Sequence, residues 1–350
     1  LKIAEDGQVT LFTGRIEMGN GVLTALQQIV ADELDVPFDR ISIVSGDTDL
    51  APNQGVTSAT TTMGVAAVVI RQAAATARHA LLEMAADTLG TPVDQLRVRD
   101  GVVSGLDADG GAEVSYGDLI GGQALAGDVD MQAAVKAPDA YLIVGQPAPR
   151  IDIPPKVTGA DGAFIENTRV EGVRVARILR PPAYGAKLVS YDESVAEQPG
   201  IVAVLPIRHP GDERLARVER YKTMPGDFIA VVAEREDLAL AAVEQLRESS
   251  QWETAETLPT THEELYNWLL EQGEPIELIR SGDPGTRRET FEEIYQQYET
   301  RVADAKETFT QSYRGPFHCH GPIAPAFSLA DVQGEQPTAT IWSSTQWPFG

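Results

Sequence analysis

The chain has 350 residues, more than one hydrophobic core ordinarily serves, so two or three packed units are expected. Its 43% hydrophobic and 23% charged residues argue against disorder over most of the length. Its 52 acidic against 28 basic residues, a formal net charge of -24, argue against nucleic acid as a partner. The single cysteine, Cys319, rules out an intrachain disulfide and leaves no ligand set for a thiolate-bound cluster or zinc ion.

Leu1 opens into a strand-like stretch without an initiator Met or a signal pattern, so a targeting segment could have been removed, and the compartment stays open between cytoplasm and periplasm. Gln8 to Thr13 alternates, with Val9 and Leu11 on one side, and reads as a half-buried strand. Val22, Leu26, Ile29, Val30 and Leu34 keep the spacing of one helical face up to Pro37, which puts Gly19 and Gly21 at that helix's N-terminus. Arg40 to Ser45 is strand-like. Gly64 to Leu89 is a long Ala-rich helix carrying Val65, Val68, Val69, Leu81 and Leu82.

Beyond Gly105 the chain turns Gly-, Ala- and Asp-rich, and Pro147, Pro149, Pro154 and Pro155 mark a boundary near 150. A second unit follows, with strands at Val173–Leu179, Ile201–Leu205 and Phe228–Ala233 and a helix over Asp237–Arg247. Residues 260–305 read as charged amphipathic helices with a solvated acidic face. A third pattern starts near Glu307, with strands of the type ETFTQSY and TATIWSSTQ. No run reaches the roughly 18 apolar residues that span a bilayer, so the chain is not expected to be transmembrane.

Two turns carry ligand-binding character. In GRIEMGNG, Gly14 to Gly21, two glycines at a strand-to-helix turn let backbone approach a ligand while free N–H groups face it, an anion cradle. The dinucleotide fingerprint is only partly met, because Thr24 stands at its third glycine, and a tight turn with no ligand fits these residues equally well. A second turn, VTSATTTMG at 56–64, is again rich in small hydroxyl side chains ahead of a helix. Alone it reads as helix capping; two such loops in one unit point to one extended polyanionic ligand.

The series GRIEMGNGVLTALQQIVADELDVP, then SGDTDLAPNQG and TSATTTM, resembles the molybdopterin-binding segment of the molybdenum hydroxylases, the xanthine dehydrogenase/aldehyde oxidase superfamily. The order of units is similar to the subfamily of the isoquinoline 1-oxidoreductase β subunit and the nicotinate dehydrogenase large subunit. The likeness continues through PPKVTGADGAFIENTRVEGVRVARILRPP, similar to the start of an a/b hammerhead domain. It resumes at SYRGPFHCHGPIAPAFSLA and TIWSSTQWPFG, similar to the opening of the catalytic domain.

The resemblance implies an α+β chain: a mixed α/β molybdopterin-binding unit at 1–150, a hammerhead-like domain at 151–256 and the start of a second molybdopterin-binding domain at 306–350; the acidic helical stretch at 257–305 has no counterpart in it and reads as an insertion. It implies that Gly19, Asn20 and Gly21 contact the pterin or its phosphate and that Thr57, Ser58, Ala59 and Thr60 line the same cofactor. Asn20 stands where the usual residue is Gln, one methylene longer. His318 stands where relatives often have a Gln near the molybdenum, and Ala324 where many have Glu. His318 and His320, two apart, would share one face of a strand, but with no third ligand nearby a packed or hydrogen-bonded histidine is favoured over a zinc site. Cys319 reads as a small buried hydrophobe.

The implied cofactor is molybdenum–molybdopterin in its cytosine dinucleotide form. The implied partners are a separate 2Fe–2S small subunit, a cytochrome c acceptor and a small-molecule substrate, an N-heterocycle or aldehyde oxidised with water as oxygen source. The family's molybdenum-covering Gly-rich loop and its Gly-x-Gly-Glu segment, whose Glu is the base, have no counterpart up to Gly350. No catalytic residue is therefore expected within these 350 residues, and no activity from them alone. A non-catalytic binding or assembly subunit that completes its site with a second chain is the alternative; a nicotinamide-dependent dehydrogenase rests on Gly19 and Gly21 alone and leaves the turn at 56–64 unexplained.

Overall fold

In a computed structural model, which describes residues 1–106, 111–122, 127–208, 226–254, 259–272, 291–334 and 338–350, the chain divides into two units. The first comprises Leu1–Arg169 with His320–Gly350, the second Val170–Cys319.

In the first unit, Lys2–Ile3 (β1) pairs antiparallel with Val9–Thr13 (β2), whose alternate residues Val9, Leu11 and Thr13 are buried as the period of two requires. Helix α1, Val22–Leu34, carries the chain to Ile41–Ser45 (β3), which lies parallel to β2 with Val9 opposite Ile41 and Thr13 opposite Ser45. Helix α2, Ala67–Leu89, begins with a π turn at Thr62–Ala66. Its buried stripe is Ile70, Ala74, Ala77, Leu81 and Ala85, and these small side chains let it pack closely against Leu26, Val30 and Leu34 of α1. Val65, Val68 and Val69 are exposed, because the buried face of this stretch runs through Ala66, Ala67 and Ile70.

Structure that composition concealed leads up to and into the Gly- and Asp-rich stretch. Leu96–Arg99 (β4), Val102–Gly105 (β5) and Glu113–Ser115 (β6) form an antiparallel meander, its first turn made by Asp100 and Gly101, both with positive φ. Ser115 caps helix α3, Tyr116–Ile120, in a capping box with Asp118. Tyr116 is buried, its hydroxyl has no hydrogen-bond partner, and burial pushes its phenol pKa up. Tyr116→Phe removes an unsatisfied polar atom without leaving a cavity. The expected change in stability is between zero and a gain of about 1 kcal/mol by thermal denaturation, and a loss of that size would reveal an ordered water on the hydroxyl.

Residues 127–150 bury none of their side chains fully and are fastened instead by acids at the end of α1. Asp32, 2% exposed, accepts from the backbone N–H of Leu142, Ile143 and Val144 at 3.0, 3.2 and 2.7 Å. Glu33, also buried, accepts from Arg71 Nε at 2.8 Å and from the Lys136 N–H at 3.2 Å, and Asp35 pairs with the Lys136 ammonium. Helix α4, Ile153–Thr158, follows.

The second unit is an antiparallel sheet with a helix on it. Val175–Leu179 (β7), Lys187–Ser190 (β8), Ile201–Ile207 (β9) and Phe228–Ala233 (β10) precede helix α5, Glu236–Ser249, and Gln251–Glu253 (β11). Strand β10 lies between β7 and β9, β8 pairs with β11, and Leu179, Ile229 and Val231 pack against Ala242, Val243 and Leu246. Helices α6, His262–Gln272, and α7, Phe291–Asp304, belong to this unit; the rest of the expected acidic helices, residues 273–290, lies outside the described residues.

ETFTQSY, expected as a strand, is exposed coil, since among the described residues no neighbouring strand takes its N–H and C=O groups. Cys319, expected buried, is exposed. Ser328–Gln333 (β12) and Thr338–Ser343 (β13) pair antiparallel in the first unit. The chain is thus a mixture of helices and sheets, as the α+β expectation requires. Among the described residues no helix is long and apolar enough to cross a membrane.

Candidate functional site

Parallel strands that end side by side deliver two loops to one place, the position where open α/β sheets present ligands. The loop after β2, residues 14–21, and the loop after β3, residues 46–61, leave neighbouring strand ends and are laced together. Gln54 Oε1 accepts from the Thr13 hydroxyl at 2.6 Å and from the Gly14 N–H at 3.1 Å, and the Ile16 N–H donates to Thr57 Oγ1 at 3.1 Å. Gly14 is required here: a Cβ on it would stand 2.4 Å from the Pro52 carbonyl oxygen.

The glycine loop differs from an open cradle. The Glu17 carboxylate accepts from the N–H groups of Gly19 and Gly21, both at 2.8 Å, and of Leu23 at 3.2 Å, so the donors expected to face a ligand are taken by the loop's own side chain. Arg150 closes the other side. Its guanidinium donates to the Gly19 carbonyl at 3.1 Å and to both Asp152 oxygens at 2.7 Å, and lies 3.7 Å from Glu17. Its hydrogen bonds hold Asp152 well below the usual carboxylate range. Gly21 has φ 80° and a Cβ there would stand 2.8 Å from Arg150 Cδ, so a side chain at this position would collide with Arg150. Gly19 and Asn20 are exposed. Nothing lies within 4 Å of where a Gly19 Cβ would be, and the Asn20 side-chain oxygen accepts from the Val22 N–H at 3.3 Å, leaving its amide hydrogens outward.

The second turn has the open donors that the first lacks. Thr57 is buried, Ser58 is half-buried, Ala59 and Thr60 are exposed, and among the described residues none accepts from the N–H groups of Ser58, Ala59 and Thr60. Ala59 and Thr60 hold φ of 46° and 63°, left-handed conformations that cost side-chain-bearing residues energy and persist where surrounding structure imposes them.

Arg15 lies beneath this turn, 3% exposed; its Nη1 donates to the Val56 carbonyl and, at 3.0 Å, to Thr61 Oγ1. Gln346, following β13, ties the turn from the other side. The Thr57 N–H donates to the Gln346 carbonyl at 2.9 Å, and Gln346 Nε2 donates to the Thr57 carbonyl at 2.9 Å and to Met18 Sδ at 3.3 Å.

Residues 19–20 and 57–60 are therefore held in one assembly, and Gly21 is turned into its support. Arg15, Arg150 and Gln346 were not singled out from sequence. The only signal for them was adjacency: Arg15 within GRIEMGNG, Arg150 beside the proline boundary and Gln346 in TIWSSTQWPFG. His318 and His320 are exposed and not on a strand. Among the described residues no group of three or more His, Cys, Asp or Glu is placed to hold a metal ion.

The molybdopterin cofactor-binding domain family matches residues 1–151. A nicotinate dehydrogenase chain of Pseudomonas putida is 35% identical over 99% of this chain and 27% of its own length. The membrane-bound aldehyde dehydrogenase (pyrroloquinoline-quinone) of Gluconacetobacter polyoxogenes is 30% identical over 75% of this chain and 33% of its length. The β subunit of isoquinoline 1-oxidoreductase from Brevundimonas diminuta is 29% identical over 60% of this chain and 32% of its length. The chain spans about a third or less of the length of these relatives. Residues 1–151 are a molybdopterin cofactor-binding domain, and the chain is similar over nearly all of its length to a nicotinate dehydrogenase subunit and, over most of it, to the isoquinoline 1-oxidoreductase β subunit.

Proposed function

We propose that the chain is part of the large subunit of a molybdopterin-dependent hydroxylase that oxidises an N-heterocycle or an aldehyde with water as oxygen source. The observation that carries the reading is the turn Ser58–Thr60, with three open N–H groups, left-handed backbone at Ala59 and Thr60 and a buried arginine bonded to Thr61, beside an exposed Gly19–Asn20 edge. An extended ligand with a neutral heterocyclic end and an anionic end fits these donors: the Asn20 amide and the Gly19 backbone for the ring, the amides of Ser58, Ala59 and Thr60 for the phosphate. Thr57 and Gly21 act from behind, the first through its bonds to Ile16 and Gln346, the second by admitting Arg150.

When bound, the cofactor supplies the two-electron oxidation of a carbon centre; the residues of this chain bind and orient it. With Asn20 one methylene shorter than Gln, its amide reaches the ring directly or through one water. Proton handling and substrate selection fall to parts of the enzyme that these residues do not supply. Electrons leave through a separate 2Fe–2S subunit and onward to an acceptor such as a cytochrome c. The cytosine dinucleotide form of the cofactor, the division at 150, 256 and 305, and a place for His318 near the metal belong to the same proposal.

The test is elemental analysis for molybdenum, with fluorescence of the oxidised pterin, on the protein purified from its native cell together with its partner subunits. Near-stoichiometric amounts of both are expected. Absence of both from a folded, complete assembly would leave a non-catalytic binding or assembly subunit as the better description.

A further inference from the structure

A guanidinium is hydrated strongly enough that burying it without a counter-charge costs several kcal/mol, and folded proteins accept this where a partner returns the energy. Arg15 is buried to 3% exposure, and among the described residues no carboxylate forms an ion pair with it. Its Nη1 is directed to Val56 and Thr61, its Nε has no hydrogen-bond partner, and desolvation lowers its pKa. Glu17, two residues along, is turned to the amides of Gly19, Gly21 and Leu23 and stands beside Arg150 instead. Two neutral hydrogen bonds to Val56 and Thr61 need no charge: a glutamine or a water would make them. The charge itself is unexplained by the fold.

Between Val56 and Thr61, the two residues that Arg15 bonds, lie the open N–H groups of Ser58, Ala59 and Thr60. We propose that Arg15 is the buried cationic partner of a phosphate or pyrophosphate ester seated on the Ser58–Thr60 turn, and that it, rather than the glycine loop, supplies the positive potential at this end of the site. The glycine loop cannot serve an anion, because the Glu17 carboxylate already fills its amides and repels a second negative charge. A chain of net charge -24 opposes anion binding at long range, so a local, desolvated charge beneath the turn is what makes the seat attractive. This assignment rests on the cofactor reading above and specifies which residue carries its electrostatics.

Arg15→Lys and Arg15→Gln, made in the holoenzyme expressed in its native cell, separate charge from hydrogen bonding. Molybdenum and pterin per chain, thermal midpoint and retention of pterin through gel filtration at rising ionic strength are measured for each. In addition, inorganic pyrophosphate is titrated into cofactor-stripped protein and its dissociation constant measured by calorimetry.

The expected result is that Arg15→Lys keeps most of its cofactor and binds pyrophosphate nearly as well as the parent. Arg15→Gln binds pyrophosphate about tenfold or more weakly, loses the salt dependence of retention and keeps a similar thermal midpoint. Equal pyrophosphate affinity in parent and Arg15→Gln overturns the assignment, as do equal losses in the Lys and Gln variants accompanied by a fall in thermal midpoint, which mark a structural role. The two readings fail separately. Parent protein with neither molybdenum nor pterin overturns the cofactor reading, whereas fully loaded parent and fully loaded Arg15→Gln overturn the role of Arg15 alone.

Discussion

Asp32→Ala is expected to destabilise the first unit by about 3–5 kcal/mol, as much as truncating a fully buried leucine to alanine. The carboxylate accepts three backbone N–H groups from Leu142–Val144 in a site only 2% exposed, and alanine leaves all three without an acceptor. No side chain nearby substitutes, since Glu33 is committed to Arg71 and Lys136. Hydrogen exchange at the amides of Leu142, Ile143 and Val144 should accelerate in step with the fall in denaturation midpoint. Asp32→Asn, with one acceptor oxygen in place of two, should fall between. Unchanged protection at these amides in the alanine variant would mean that the segment is held by packing alone.

Glu17→Gln is expected to weaken the glycine loop by about 2–3 kcal/mol of local stability and to lower cofactor content severalfold without unfolding the unit. A side-chain amide offers one oxygen where three N–H groups converge, and turns its own NH2 toward donors and the Arg150 guanidinium. The loop then has no internal acceptor to define the position of Asn20. Faster exchange at Gly19, Gly21 and Leu23 with an unchanged global midpoint is the signature sought. Full cofactor content with fast exchange at those amides would show that the ligand alone shapes the loop.

What was legible in the sequence was what periodicity encodes. Strand β2, helix α1 and strand β3 follow from alternation at Val9 and Leu11 and from the helical spacing of Leu26, Val30 and Leu34. The β4–β5 hairpin was legible but masked: Asp100–Gly101 between Leu96–Arg99 and Val102–Gly105 is a strong hairpin signal, obscured by the Gly- and Asp-rich run that follows. The ETFTQSY pattern misled because alternation describes a strand's faces but not whether a partner strand is present.

At the site, the two loops were found, since small and hydroxyl residues before a helix are a local signal. Their electrostatics were not. Glu17 as an internal cap, Arg15 as a buried charge and Gln346 as a brace depend on which atoms meet after folding, and one-dimensional spacing carries no record of that.

The brace on Thr57 comes from a residue 289 positions later in the chain. At about 5–20 residues per second of translation, the turn at 57–60 emerges from the ribosome roughly 15–60 s before Gln346 exists to hold it. During that interval β2, α1, β3 and α2 have every local contact they need, while the Thr57 N–H still faces water. Maturation of the site therefore waits for a residue made 289 positions after Thr57, and a cofactor delivered before it would meet a turn that lacks one of its two anchors.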